Sequence, residues 1–187
     1  MLSSCSLLVL LVAPAAADAG PCAADDARDV CQELTMSMMP GGFASAFAAN
    51  GRESKPFVGG GVHLAPRFWW SQTDAHKASL GALFVEAALY RARADADSLA
   101  AFDLGGTLGF ERNPTRRFLL PYFGGALGYL THKTMGASSF VYALGGLHLI
   151  WHPNLTLALQ AGYLFPFHHV DVLRGARVDL SARFSLW

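Results

Sequence analysis

Residues 177–186 read Arg-Val-Asp-Leu-Ser-Ala-Arg-Phe-Ser-Leu, and this stretch decides the fold. Apolar side chains occupy its even positions, whereas charged or small polar side chains occupy its odd positions. A helical period would leave no continuous apolar stripe, because Asp179 and Arg183 would share a face with Val178. A period of two instead places the two classes on opposite faces of a β-strand. The stretch therefore predicts a strand with one apolar and one polar face.

The same alternation runs through residues 102–111 and 155–165. Residues 138–167 contain no Asp, Glu, Lys or Arg and could suggest a membrane helix. Gly145-Gly146 and His152-Pro153-Asn154 interrupt that stretch, and a helix interior loses about 1 kcal/mol for Gly and about 3 for Pro. Two apolar runs of about 12 residues are left, which suits tilted membrane strands of about 9–11 residues better than helices of about 20.

The composition agrees with a membrane protein and excludes two other classes. Of 187 residues, 52% are hydrophobic and only 15% are charged, whereas soluble domains carry about 25% charged residues. The formal net charge of zero leaves no electrostatic basis for binding nucleic acid, so no nucleic-acid partner is expected. Abundant large apolar residues argue against intrinsic disorder.

Seven candidate strands follow from the alternation, at 57–70, 79–93, 100–112, 116–131, 139–152, 154–167 and 174–187. Bacterial barrels usually close from an even number of strands, so an eighth must precede residue 57. Residues 35–49 are the only stretch long enough, although Pro40-Gly41-Gly42 would bend it. A plug or a short Ala-rich helix is the alternative there. The predicted fold is all-β, an eight-stranded antiparallel transmembrane up-and-down β-barrel over residues 35–187.

The connections predict an orientation in the membrane. Periplasmic turns are expected at 71–77, 113–115 and 152–154, and longer outer loops at 50–55, 94–98, 132–138 and 168–173. Aromatic residues near the strand ends are expected to form girdles at the two membrane interfaces. They are Trp69, Trp70, Tyr90, Tyr122, Tyr129, Trp151, Tyr163, Phe165 and Trp187.

The N-terminus predicts export. An apolar run at residues 7–12 precedes the small residues Ala15-Ala16-Ala17, so residues 1–19 are expected to be a cleaved signal peptide, despite the absence of Lys or Arg before the run. An N-terminal anchor is the alternative, but the run is far shorter than the about 20 residues of a spanning helix. Residues 20–34 then form a periplasmic segment in which Cys22 and Cys31 are expected to form a disulfide.

Residues 121–129, Pro-Tyr-Phe-Gly-Gly-Ala-Leu-Gly-Tyr, carry a family resemblance. They resemble the R-P-Y-x-G-x-G-x-G-Y central strand of the small eight-stranded outer-membrane barrel proteins, which include the OmpA transmembrane domain and OmpX. The resemblance implies a place in the Gram-negative outer membrane and insertion by the barrel-assembly machinery. In that family the last strand carries the assembly signal, whereas here Trp187 is out of phase with Phe184. Outer-membrane lipid, lipopolysaccharide and other envelope proteins are the remaining expected partners.

The polar face of the alternation predicts a lumen lined by ionisable side chains. An eight-stranded interior is just wide enough for side chains to fill, so these charges are expected to pair. The alternative is a narrow water-filled path, and the inward glycines could either leave room for water or make space for neighbouring side chains. The predicted lumen residues are His63, Arg67, Glu86, Asp103, Glu111, His148, Gln160, Arg177, Asp179 and Arg183.

The expected function is a structural or narrow-pore role, which a subunit of an envelope complex could also have. No cofactor or metal is expected. The alternative is an enzyme that modifies lipid A. The His-x-Ser strand motif of barrel deacylases is absent, but His168, His169, Asp171 and Ser138 loosely resemble the loop His/Asp/Ser set of palmitoyl transferases. Residues 168–171 could also contribute two or three metal ligands, which is an incomplete site.

Overall fold

The computed structural model describes residues 32–50, 56–72, 77–92, 97–113 and 116–186. Eight antiparallel strands, each bonded to its neighbours in sequence, close into a barrel. The predicted signal peptide and the Cys22–Cys31 pair lie outside the described residues. The strands are β1 (Gln32–Ala49), β2 (Pro56–Gln72), β3 (Lys77–Ala92), β4 (Ser98–Glu111), β5 (Leu120–His132), β6 (Gly136–Trp151), β7 (Leu155–Pro166) and β8 (Gly175–Phe184).

The predicted eighth strand is present as β1, which is neither a plug nor a helix. β1 pairs with β2 along its length and with β8 from Gly41 to Ala49, and this second pairing closes the barrel. Pro40 lies just beyond the β8 ladder, where its missing N–H removes no ladder bond to β8. The Pro-Gly-Gly sequence is therefore compatible with a continuous strand.

The two faces of the strands separate by polarity as the alternation predicts. Inward positions hold the buried polar and charged side chains, whereas outward positions hold exposed aliphatic and aromatic ones. Leu89 is 72% exposed, Val62 67% and Leu127 64%. The described residues form one short helix, α1 (Val170–Leu173), between β7 and β8, and they include no helix long and apolar enough to cross a membrane.

We call the end of the barrel that carries the connections after β2, β4 and β6 the turn end, and the opposite end the loop end. The expected contrast between short turns and long loops is wrong at two connections. β5 begins at Leu120 rather than 116, because the Arg116 guanidinium donates to the carbonyls of Phe118 and Leu119 and keeps residues 116–119 in the connection before the strand. At the loop end, β5 and β6 pair as far as His132 and Gly136, which leaves a short loop at 133–135.

The predicted aromatic girdles are only partly present. Tyr129 and Phe165 face outward and are about half exposed. Four of the other aromatic residues instead lie inside the lumen, each at most 5% exposed, and they are Trp69, Tyr90, Tyr122 and Trp151. For Trp151 the reason is a register shift between His148 and Ile150, which reverses the phase of the strand and turns the indole inward.

Aromatic rings fill the space beside four of the inward glycines. A Cβ placed on Gly128 would lie 2.3 Å from the ring of Phe140, and one on Gly146 would lie 2.6 Å from the ring of Tyr122. Phe84 covers Gly105 and Tyr142 covers Gly162 in the same way. Of the two roles considered for these glycines, the observed one is to make space for neighbouring side chains.

Gly146→Ala is expected to destabilise the barrel by about 1–3 kcal/mol, because overpacking must displace the Tyr122 ring or the β7 backbone. The added Cβ would lie 2.6 Å from the Tyr122 hydroxyl and 2.4 Å from the Leu159 carbonyl oxygen. Gly145→Ala is the matched control, since its Cβ would meet nothing closer than 3.6 Å. Urea unfolding in detergent micelles measures both variants, and equal stabilities would contradict this account.

Candidate functional site

The lumen has three layers, and the first is an apolar plug at the loop end. Its buried side chains are Phe47, Phe57, Leu99, Leu130 and Leu173, with Met135 and Val172 packed against them. Beneath the loops, His132 Nε2 lies 2.9 Å from an Asp97 carboxylate oxygen. The cavity beside this pair measures only about 20 Å³, which is room for about one water molecule. The plug closes the loop end of the barrel.

The second layer is a charge network centred on Arg177, which is 1% exposed. Its three guanidinium nitrogens each donate to a different carboxylate. Nε donates to Asp179 at 2.9 Å, Nη1 to Asp103 at 2.8 Å and Nη2 to Glu86 at 2.7 Å. These residues come from β8, β4 and β3, so one side chain ties three strands together across the lumen.

Aromatic rings and further polar side chains contact this network. The rings of Phe43 and Tyr142 each have their centroid 5.2 Å from the Arg177 guanidinium carbon, a cation–π distance. His63 Nδ1 lies 2.6 Å from the second oxygen of Glu86. Asp179 accepts hydrogen bonds from Ser45 and Gln160. Packing and hydrogen bonds therefore occupy the middle of the lumen.

The third layer lies toward the turn end and is cationic. Arg67 donates to Ser37 Oγ at 2.9 Å, Thr156 Oγ1 at 2.6 Å and the Pro153 carbonyl at 3.0 Å, all of them neutral acceptors. Within the described part of the chain, Arg183 donates to Ser181 Oγ alone, at 3.3 Å. Among the side chains that the structure describes, no carboxylate forms a salt bridge with either arginine.

The structure divides the predicted lumen residues into three groups. His63, Glu86, Asp103, Arg177 and Asp179 form the central network, and Gln160 joins it. Arg67, His148 and Arg183 are buried in the cationic layer. Glu111 instead sits at the β4–β5 connection, where it accepts from the backbone N–H groups of Arg112 and Asn113 and pairs with Arg116. The charges are thus segregated along the barrel axis rather than evenly paired.

Sequence reasoning missed several members of these layers. Ser45 and Tyr142 contact the central network, and the Asp97–His132 pair lies under the loops. Strand phase was the signal available for His132, since it shares inward even positions with Tyr122 and Leu130. Asp97 precedes β4 in a connection, where alternation gives no information.

The loop residues considered for catalysis do not form a nucleophile–base pair in the described part of the chain. The Ser138 hydroxyl donates toward the backbone carbonyls of Ser139 and His168 and accepts from the His168 N–H, each at 3.0 Å. His168 and His169 are exposed, and His169 precedes α1 with a left-handed backbone. The Asp171 side chain lies outside what is described. The described residues also include no cluster of three or more His, Cys, Asp or Glu that could hold a metal ion.

No family model matches the sequence, and no curated protein matches it. Among solved structures, Neisserial surface protein A aligns with 81% of this chain and 99% of its own, at 16% identity and a TM-score of 0.50. The chain has the fold of a small eight-stranded outer-membrane barrel. Ail, the attachment invasion locus protein of Yersinia pestis, aligns with the same share of the chain and 97% of its own, in two structures, at 15% and 11% identity and TM-scores of 0.43 and 0.33. At 16% identity, what this chain shares with Neisserial surface protein A is the architecture of the barrel.

Proposed function

We propose that this chain is an integral protein of a bacterial outer membrane with a closed lumen and a structural rather than a conducting role. The outward face of the barrel supports the membrane location. Its exposed large side chains, such as Leu83, Leu104 and Phe102, occur on successive strands around the barrel. A continuous apolar exterior of this kind is unfavourable in water and matches the lipid-facing band of membrane barrels.

The filled lumen supports the structural role over the narrow pore. The loop-end plug and the Arg177 network block the axis in succession, and aromatic rings occupy the space beside Gly105, Gly128, Gly146 and Gly162. Opening a path would require breaking buried ion pairs, each of which costs several kcal/mol. The lumen thus stabilises the barrel.

We also propose the processing of the N-terminus, the orientation of the barrel and the partners that the sequence predicts. Residues 1–19 would be removed on export, and Cys22 and Cys31 would form a disulfide in the oxidising periplasm. The turn end would face the periplasm and the loop end the cell exterior. Insertion by the barrel-assembly machinery, contact with lipopolysaccharide and association with other envelope proteins complete the proposal.

Planar-bilayer recordings test the closed lumen. The purified full-length protein is expected to show no stepwise conductance at moderate voltages, because the Arg177 network and the apolar plug occupy successive layers of the lumen. A porin reconstituted from the same detergent is the positive control. Reproducible unitary conductance steps that persist after repurification would contradict the structural role and favour a narrow pore.

A further inference from the structure

The cationic layer contains buried charge for which the side chains that the structure describes offer no counter-charge. Arg67 is 7% exposed and Arg183 is 6% exposed. The two meet around Thr156, which accepts from Arg67 Nη1 and lies opposite Arg183 in the β7–β8 register. They repel one another electrostatically, and Arg117 adds to the repulsion at Arg67. Burying like charges together without an anion is costly.

Hydrogen-bond donors also outnumber acceptors in this layer. A guanidinium carries five N–H groups, of which Arg183 uses one toward Ser181, and its Nε has no partner. The indole N–H of Trp69 has no partner either. His148 is 1% exposed, and neither of its ring nitrogens is hydrogen-bonded. The unused groups are mainly donors, so the missing partner is an acceptor.

The three acids of the central layer each bind Arg177. Glu86 is the carboxylate that attracts Arg183 at longer range, but its two oxygens are bound by His63 and Arg177. Asp103 and Asp179 also bind Arg177. The central layer therefore holds three carboxylates around one arginine, whereas the cationic layer holds two arginines and, among the described side chains, no carboxylate bound to either.

We propose that the turn-end half of the lumen binds a small oxyanion of the phosphate or sulfate class between Arg67 and Arg183. Guanidinium groups bind such oxyanions through paired, charge-assisted hydrogen bonds. An oxyanion is an acceptor that also neutralises the two charges, whereas a water molecule supplies no charge. The anion chemistry follows from the donors, and it is independent of the membrane role proposed above.

Aromatic walls would hold the anion in place. His148 stacks on Tyr122 with centroids 4.3 Å apart and packs against Trp151 at 4.4 Å. Trp151 also lies 4.6 Å from the guanidinium carbon of Arg67. Arg67 Nη2 donates to the Pro153 carbonyl in the β6–β7 turn, so the site adjoins the turn-end surface from which an anion would enter.

Calorimetric titration of the full-length protein in detergent with inorganic phosphate, and separately with sulfate, tests the site. Saturable binding near one equivalent is expected, with no response to chloride at matched ionic strength. Arg183→Gln is expected to weaken binding by at least about tenfold, since it removes charge-assisted hydrogen bonds. Arg183→Lys should retain part of the affinity. Arg91→Gln, at an exposed arginine on the outer wall, is the control and should bind like the wild type.

A second measurement does not depend on the variants folding. Crystals of the wild-type protein grown with selenate should show an anomalous peak between Arg67 and Arg183. Water alone at that position, together with the absence of saturable phosphate or sulfate binding, would overturn the proposal. Binding that Arg183→Gln and Arg91→Gln weaken equally would overturn it too, because the anion would then be held by general surface charge.

Discussion

Replacing Arg177 by Met is expected to lower the free energy of unfolding by about 3–5 kcal/mol, the cost of breaking a buried ion pair by removing one partner. The substitution keeps an unbranched apolar stem but removes the guanidinium, which leaves Glu86, Asp103 and Asp179 close together without their shared cation. Those carboxylates are at most 4% exposed, so water cannot replace the lost interactions. Denaturant titration in micelles, followed by tryptophan fluorescence, measures the change.

Two further variants separate charge from packing. Arg91→Met removes an exposed arginine from the outer wall and should change stability by less than about 0.5 kcal/mol. Adding Asp103→Asn to Arg177→Met should recover part of the loss, since it removes one of the unpaired charges. If the double variant is no more stable than Arg177→Met, the stabilising role of the network is not electrostatic, and the account given for the lumen is wrong.

The fold was largely predictable because the period of two is a local property of the sequence. Each strand must present one face to an apolar and one to a polar surrounding, and this requirement is visible without knowing the neighbours. Even β1, with Pro40 in its middle, had to be a strand for the barrel to close. The strand limits were less predictable where side chains bond to the backbone, as Arg116 does before β5.

The lumen was predictable in composition but not in its arrangement. Phase decides that Arg67, Arg177 and Arg183 face inward, yet it does not say at what height along the barrel each guanidinium lies. Cross-strand register decides that height, and through it Glu86, Asp103 and Asp179 gather on Arg177 alone. Strand register depends on contacts between distant parts of the chain, which alternation within one strand does not encode.

The inward aromatic residues show a second limit of prediction from strand patterns. A ring near a strand end can lie at the membrane interface or fill the lumen, and the choice depends on phase and on space opposite. Tyr122 turns inward where Gly146 leaves room for its ring, and Trp151 turns inward after the register shift in β6. Glycines on neighbouring strands are thus part of the signal that places an aromatic side chain, and single-strand patterns omit it.

Leu127→Arg is expected to destabilise the barrel in phospholipid vesicles by about 2–4 kcal/mol, the cost of an arginine on the lipid face near the bilayer midplane. Leu127 lies in the middle of β5 and is 64% exposed, with Leu104 and Val141 as its outward cross-strand neighbours. The side chain makes little contact with the lumen, so the effect would come from the surrounding lipid rather than from lost packing.

Thr131→Arg is the matched control, on the same strand and the same face but next to the end of β5. Near the interface an arginine costs about 0–1 kcal/mol, because its head can reach the polar layer. Guanidinium chloride titrations of both variants in the same vesicles measure the difference. The cost of an arginine depends on depth in lipid but not in water. Equal and small costs at both positions would therefore mean that the apolar exterior is not in a bilayer. That result would contradict the proposed location in the outer membrane.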